Sequence, residues 1–362
     1  MPDADIIPFS QPGEPERGGP AAPASSAPAS SPLGPSKAAR LVGNTGPQPA
    51  TAAVPARTEP RSASAPAHPV PAAGAPVTHE VWTDDAIPDD EGWLDFVRRR
   101  MSGDYGVDDF GFDPELTDKV FLAMMRPLYR SWFRVETTGL ENVPADSGAL
   151  IVGNHSGVIA LDAAMTQLAL HDEHPAHRHL RMLGANLVFQ LPIMGEIARK
   201  AGHTLACHPD AERLLGAGEL VGVWPEGFKG VGKPFSQRYK LQRFGRGGFV
   251  AAALRTKAPI IPTAIVGAEE IYPMVANAKT IARILGLPYF PITPTFPWLG
   301  PLGMVPLPSK WHIHFGEPIP TDHFPEGAAD DPMVVFNLTD QVREQIQQSL
   351  YRLLVKRPSA FG

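Results

Sequence analysis

Between residues 149 and 267 the sequence alternates two periods: short apolar runs that stop at turn residues, and stretches whose apolar residues recur every three or four positions. "ALIVGN", "HLRMLGA", "HTLAC", "LVGVWPEG" and "APIIPTAIVG" are of the first kind; "AAMTQLALHDE", "IMGEIARKAG", "DAERLLGAGE" and "GRGGFVAAALRTK" are of the second. Apolar runs without polar alternation read as strands buried on both faces, and the helices between them must supply the cover. The pattern predicts an α/β fold, a central mixed sheet flanked by helices, with function carried by loops at the strand ends. "WHIHFGEPI" alternates as an edge strand does, and residues 334–355 read as a closing helix.

The rest of the chain is organised around that alternation. Residues 1–77 hold 17 of the 41 prolines and are otherwise dominated by Ala, Gly and Ser. Such a segment buries too little apolar surface to offset its ordering entropy, so a disordered tail is expected. Residues 78–134 read as a helical segment: "EGWLDFVRRRM" is amphipathic, and Leu116, Val120, Phe121, Met124, Met125, Leu128, Trp132 and Phe133 fall at mostly helical spacing, with Pro127 as a kink or boundary. That stripe suits either a lipid interface or an ordinary core contact. Residues 135–362 are left for the α/β domain with its C-terminal helix. Within them "PYFPITPTFPWLGPLGMVPLPSKW" carries too many prolines for a helix and is expected to run extended over the surface, lining an acyl tunnel, dipping into lipid or packing on the core.

Charge and cysteine content narrow the function classes. A formal net charge of −6 argues against nucleic acid as the main partner, since phosphate-backbone binders carry a basic surplus. The single Cys207 excludes an internal disulfide and suits a reducing cytoplasm. The N-terminus lacks a basic region followed by an apolar one, and no run approaches the roughly 20 apolar residues of a spanning helix. A cytoplasmic protein is expected, peripheral on the inner face of the cell membrane if it meets one. His203, His208, His312 and His314 offer no convergent set of three or four donors, so neither a metal nor a resident cofactor is expected.

The stretch "GNHSGVIALDAAM" places His155 just past a predicted strand and Asp162 at the opening of a predicted helix. Asp162 has two compatible readings: it caps the helix beginning at Ala163, or it orients His155 as a base. On one continuous helix, positions seven apart lie about 10 Å apart along the axis, too far for a hydrogen bond. The pair can meet only if residues 156–161 double back, for which Gly157 gives freedom. A second block, "WPEGFKG", ends another predicted strand. There Gly227 permits close backbone approach, and Glu226 needs a hydrogen-bonding partner if buried. Lys229, Lys233, Arg238, Lys240, Arg243 and Arg246 follow with no acid among them, a local anion site on an acidic chain.

Taken in order, "GNHSGVIALD", "PIMGEIARKAG", "VWPEGFKG" with "QRFGRGG", and "APIIPTAIVG" resemble the conserved blocks of the glycerolipid and lysophospholipid acyltransferase superfamily. The resemblance spans about residues 115–320. It implies the glycerol-3-phosphate acyltransferase-like fold and a direct transfer of a fatty acyl group from acyl-CoA or acyl carrier protein to a hydroxyl of a lysophospholipid such as 1-acylglycerol-3-phosphate. His155 would be the general base and Asp162 its orienter. Asn154, Ser156, Glu226 and Gly227 would face the substrate, and Lys229, Arg243 and Arg246 its phosphates. The chain departs from the family twice: six residues separate His155 from Asp162 where four are usual, and Cys207 and His208 stand where an arginine commonly follows the second block. The first departure leaves a non-catalytic membrane-binding homologue as an alternative; the second leaves a neutral alcohol or diacylglycerol as acceptor.

Overall fold

The computed structural model describes residues 92–361 apart from 157, 158, 160, 191, 192 and 246; the expected tail, residues 1–77, lies outside them. All the described residues belong to one unit, Glu80–Gly362. Nine strands are found among them: β1 (Glu136–Thr138), β2 (Ala149–Gly153), β3 (Leu180–Gly184), β4 (Thr204–Leu205), β5 (Leu220–Val223), β6 (Ile260–Val266), β7 (Ala276–Asn277), β8 (Pro291–Ile292) and β9 (His312–Phe315). Seven form a mixed sheet in the order β1-β9-β6-β2-β5-β3-β4, while β7 and β8 form a separate antiparallel pair. β2, β3, β4, β5 and β6 run parallel. β9 turns antiparallel to β6 and carries β1 parallel beside it.

The helices are α1 (Trp93–Ser102), α2 (Pro114–Leu116), α3 (Ala123–Pro127), α4 (Leu161–Glu173), α5 (Asn186–Gln190), α6 (Met194–Lys200), α7 (His208–Gly216), α8 (Phe228–Val231), α9 (Gly248–Thr256), α10 (Lys279–Ile284) and α11 (Pro332–Lys356). β2 shows why its sequence needs two layers of them. Every residue from Ala149 to Gly153 is buried. Leu150 and Val152 pack with the residues of α7, α9 and α11, whereas Ala149 and Ile151 pack with α4 and with Leu122, Tyr129 and Phe133. Alternate side chains pass to opposite faces of a strand, so an unbroken apolar run is stable only between two covered faces.

The segment from Pro114 to Trp132 is helical throughout, but two π-helical stretches, Thr117–Leu122 and Leu128–Trp132, flank α3. Pro127 is the last residue of α3, and the wider turn follows it directly, which accommodates the missing N–H. Its buried side chains point to the core, and Thr117 donates to the Lys200 carbonyl at 2.9 Å. The segment is therefore a layer of the domain.

Two expectations are corrected. β9 lies inside the sheet, between β1 and β6; the edge is the three-residue β1, whose polar "ETT" gives no strand pattern of its own. The helix expected from Ala163 begins at Leu161, so Asp162 is its second residue and not its cap. Pro262 sits within central β6, yet the pairing of β6 with β9 starts at Thr263, beyond the position where a proline would cost a ladder bond.

Candidate active site

β2 lies between β5 and β6, and Val152 is paired with Val223 and Pro262, so the residues that follow β2 and β5 emerge side by side at the carboxyl end of the sheet. This is where open parallel sheets hold their ligands. Asn154 continues β2 by its side chain: its amide Nδ2 donates to the Ile265 carbonyl at 3.0 Å, and the Ile265 N–H donates to its Oδ1 at 2.7 Å. The next backbone N–H, of His155, turns away and donates to Glu226 Oε1 at 2.9 Å. His155 Nδ1 lies 2.8 Å from Asp162 Oδ2, the same oxygen that accepts the Ser156 N–H at 2.9 Å. The Ala163 N–H donates to Oδ1 at 2.9 Å.

The two ends of the loop thus meet across the intervening positions. Asp162 is fully buried, and the donors around it are two backbone N–H groups, the imidazole and, at 3.5 Å, the Ser156 hydroxyl. A carboxylate can only accept, so the proton shared with His155 is assigned to Nδ1, which leaves the Nε2 lone pair as the reactive one. The His155 side chain is 15% exposed, so the imidazole reaches the surface while its orienter does not.

Glu226 is the second hub. Its Oε1 accepts from His155, while Oε2 accepts the Gln242 N–H at 2.6 Å and lies 3.4 Å from Lys233 Nζ. Lys233 in turn donates to Glu269 Oε1 at 3.1 Å, and the Tyr239 N–H donates to Glu269 Oε2 at 3.0 Å. Glu226, Lys233 and Glu269 are all buried, two carboxylates around one ammonium. Burial, opposed by Lys233 and the Tyr239 N–H and aided by the charge of Glu226, pushes the Glu269 carboxyl up to about 7. The loop after β5 can approach His155 because of two glycines. Gly227 takes φ 53° and ψ −144°, a conformation open mainly to glycine. A Cβ on Gly230 would sit 2.7 Å from Glu226 Cβ and 2.8 Å from the His155 carbonyl oxygen. Trp224 lies edge-on to the His155 ring, centroids 6.5 Å apart. Tyr289 packs against Gly232; burial first, and then the charge of Asp162, pushes its phenol up to about 12.

The residues expected at the substrate take these places among the described residues. Asn154 and Ser156 are buried and engaged with Ile265 and Asp162, and both carboxylate oxygens of Glu226 accept from protein donors. Gly227 owes its identity to its backbone angles, since nothing lies within 4 Å of a Cβ built there. Lys229 is exposed on α8. Arg243 is exposed and lines a cavity of about 630 Å³ with Phe244, Phe336, Thr339 and Arg343, whose described walls include neither His155 nor Asp162. Arg246 lies outside the described residues. Of the six cations in the basic stretch, Lys233 is internal. The sequence reading missed this role, since the acids that hold Lys233, Glu226 and Glu269, lie apart from it in the chain. Gly230, Gln242 and Glu269 were also missed; the second glycine in "EGFKG" is the one mark that any of them leaves.

Against known proteins, the acyltransferase family model matches residues 134–266, a span that holds the His155 and Glu226 blocks. An uncharacterised protein of Mycobacterium tuberculosis is 62% identical over 266 residues, 74% of each chain. The chain belongs to the acyltransferase family. The matched span holds three of the four sequence blocks whole, those around His155, Gly195 and Glu226, and most of the fourth. This acyltransferase is also 60% identical to an uncharacterised protein of Mycobacterium leprae over 74% of its own length and 72% of the relative's. It is 27% identical to a Gallus gallus protein described as a DGAT1/2-independent enzyme synthesizing storage lipids, over 53% of this chain and 54% of that one. Among solved structures, the 1-acyl-sn-glycerophosphate acyltransferase PlsC of Thermotoga maritima superposes with a TM-score of 0.44 at 19% identity, covering 68% of this chain and 85% of that one.

Proposed function

We propose that this acyltransferase moves a fatty acyl group from a thioester, acyl-CoA or acyl carrier protein, to a hydroxyl of a lysophospholipid such as 1-acylglycerol-3-phosphate. The observation that carries the reading is the 2.8 Å contact between His155 Nδ1 and the buried Asp162 carboxylate, which leaves Nε2 as base. A hydroxyl near pKa 15 is a poor nucleophile until its proton is removed in the transition state. Nε2 takes that proton as the oxygen attacks the thioester carbonyl, and Asp162 stabilises the imidazolium. Collapse of the tetrahedral intermediate breaks the C–S bond, and the imidazolium returns the proton to the departing sulfur. Lys229, Arg243 and Arg246 are the candidates for phosphate contacts. No described helix is long and apolar enough to cross a membrane. The excursion between β6 and β9 exposes Ile281, Ile284, Trp298, Leu299 and Leu302 beside the exposed Lys279 and Arg283, which suits peripheral attachment to an anionic cytoplasmic leaflet.

A neutral acceptor, a long-chain alcohol or diacylglycerol, is the second reading. Two observations favour it: Cys207 and His208 occupy the place of the family's arginine, and the chicken relative is described as a storage-lipid enzyme. One assay tests both. Thiol release from a long-chain acyl-CoA is followed with lysophosphatidate or hexadecanol as acceptor, for the native chain and for His155→Ala. Acceptor-dependent release that disappears in the folded variant is expected; release that persists in His155→Ala overturns the mechanism, and the better acceptor decides between the readings.

A further inference from the structure

At the far end of α4 from Asp162, three side chains from separate segments converge: Asp118 from the π-helical turn after α2, His171 from the last turn of α4, and His179 just before β3. His171 Nε2 lies 3.2 Å from Asp118 Oδ1, and His179 Nε2 lies 3.7 Å from the same oxygen. All three donor atoms fall within 4.8 Å of one another. Ligands about 2.0–2.1 Å from a tetrahedral zinc ion stand roughly 3.3 Å apart, so the two measured spacings bracket what such an ion requires. We propose that Asp118, His171 and His179 bind one divalent transition-metal ion of the zinc class, with a fourth position left to solvent.

Three further features fit that chemistry. The other nitrogen of His171, Nδ1, lies 3.1 Å from Asp172 Oδ1. A carboxylate there fixes the tautomer with its proton on Nδ1 and turns the Nε2 lone pair toward the ion, the usual outer-shell arrangement of a metal-bound histidine. Asp172 is itself held by Arg126, whose Nε and Nη2 each donate at 2.8 Å, so the orienting group is fixed. The side chains of Asp118, His171 and His179 are 25%, 16% and 18% exposed, so the cluster lies just beneath the surface, with Asp118 Oδ1 itself shielded from solvent. The π-helical turn widens the backbone at Asp118, a distortion often kept where a side chain must be aimed.

The ion would tie the 117–122 turn to the end of α4 and the start of β3. Nine positions on α4 separate His171 from Asp162, roughly 14 Å of rise, so the site does not reach the acyl-transfer centre. Its role is structural, and its test is independent of activity. The untagged full chain is stripped with a chelator, dialysed and titrated with CoCl2, following the visible d–d bands and the bound metal by elemental analysis. One Co2+ per chain is expected, displaced mole for mole by Zn2+. Asp118→Asn and His179→Ala should each weaken cobalt binding tenfold or more, while His323→Ala, an exposed histidine elsewhere, leaves it unchanged. Folded native chain that takes up no stoichiometric Co2+ overturns the proposal without recourse to any variant. So does unaltered cobalt binding in the two variants, their fold checked by circular dichroism.

Discussion

The two oxygens of Asp162 accept from the His155 ring, from the N–H and hydroxyl of Ser156 and from the Ala163 N–H. Asp162→Asn keeps the shape but offers an amide where the ring needs an acceptor, which favours the wrong imidazole tautomer. The expected result is a fall in kcat of roughly 100- to 10,000-fold with the fold retained, read by steady-state kinetics beside circular dichroism. Glu269 supplies a pH test at the same scale. Its carboxyl is raised from 4.5 to about 7 in the folded chain. Between those values the native state keeps a proton that the unfolded state has lost, so this group's contribution to stability falls as pH rises through the window. Urea midpoints measured across it should show Glu269→Gln with a flatter or reversed slope relative to the native chain. His155, Asp162 and Glu226 stood out in the sequence because each follows a predicted strand in a block that resembles a known family. That Glu226 is an internal brace was not, because its partners Lys233, Gln242 and, through Lys233, Glu269 are placed by tertiary folding.

Among the elements, the buried parallel strands and their covering helices were readable, since a two-sided burial leaves an unbroken apolar run. β1 was not, because three residues paired on β9 need no pattern of their own; nor was the interior place of β9, whose alternation looks the same at an edge or beside a short partner. The π-helical turns carry no periodic signal either. The short α8 is the element on which the site most depends. Its Gly230 lies so close to Glu226 and to the His155 carbonyl that Gly230→Ala must push one of them away. A stability loss of about 1–3 kcal/mol is expected from the overpacking, together with a fall in kcat larger than any change in KM. Denaturant unfolding and kinetics on the same preparation check both, and an unperturbed kcat would show that the α8 contact does not position the base.

For the whole molecule, the sheet divides labour between its ends. The carboxyl end holds His155 and the Glu226 network, and α4 links it to the cluster of Asp118, His171 and His179 at the other end. The exposed apolar side chains on the β6-to-β9 excursion predict membrane binding by partial insertion. Trp298→Ser with Leu302→Ser should weaken sedimentation with anionic vesicles at least tenfold, since each large apolar side chain buried in lipid contributes roughly 1.5–3 kcal/mol. Activity on a soluble short-chain acceptor should be unaffected, and equal vesicle binding by the variant would rule out this face as the contact. The side chain of Asn154, standing in for one more rung of the ladder with β6, has an effect beyond its own two hydrogen bonds. It ties the start of the loop to β6, as the opening turn of α4 carries Asp162 at the other end. With both ends on the scaffold, the distance His155 must cover to reach Asp162 is set by the sheet and the helix and not by the count of residues between them.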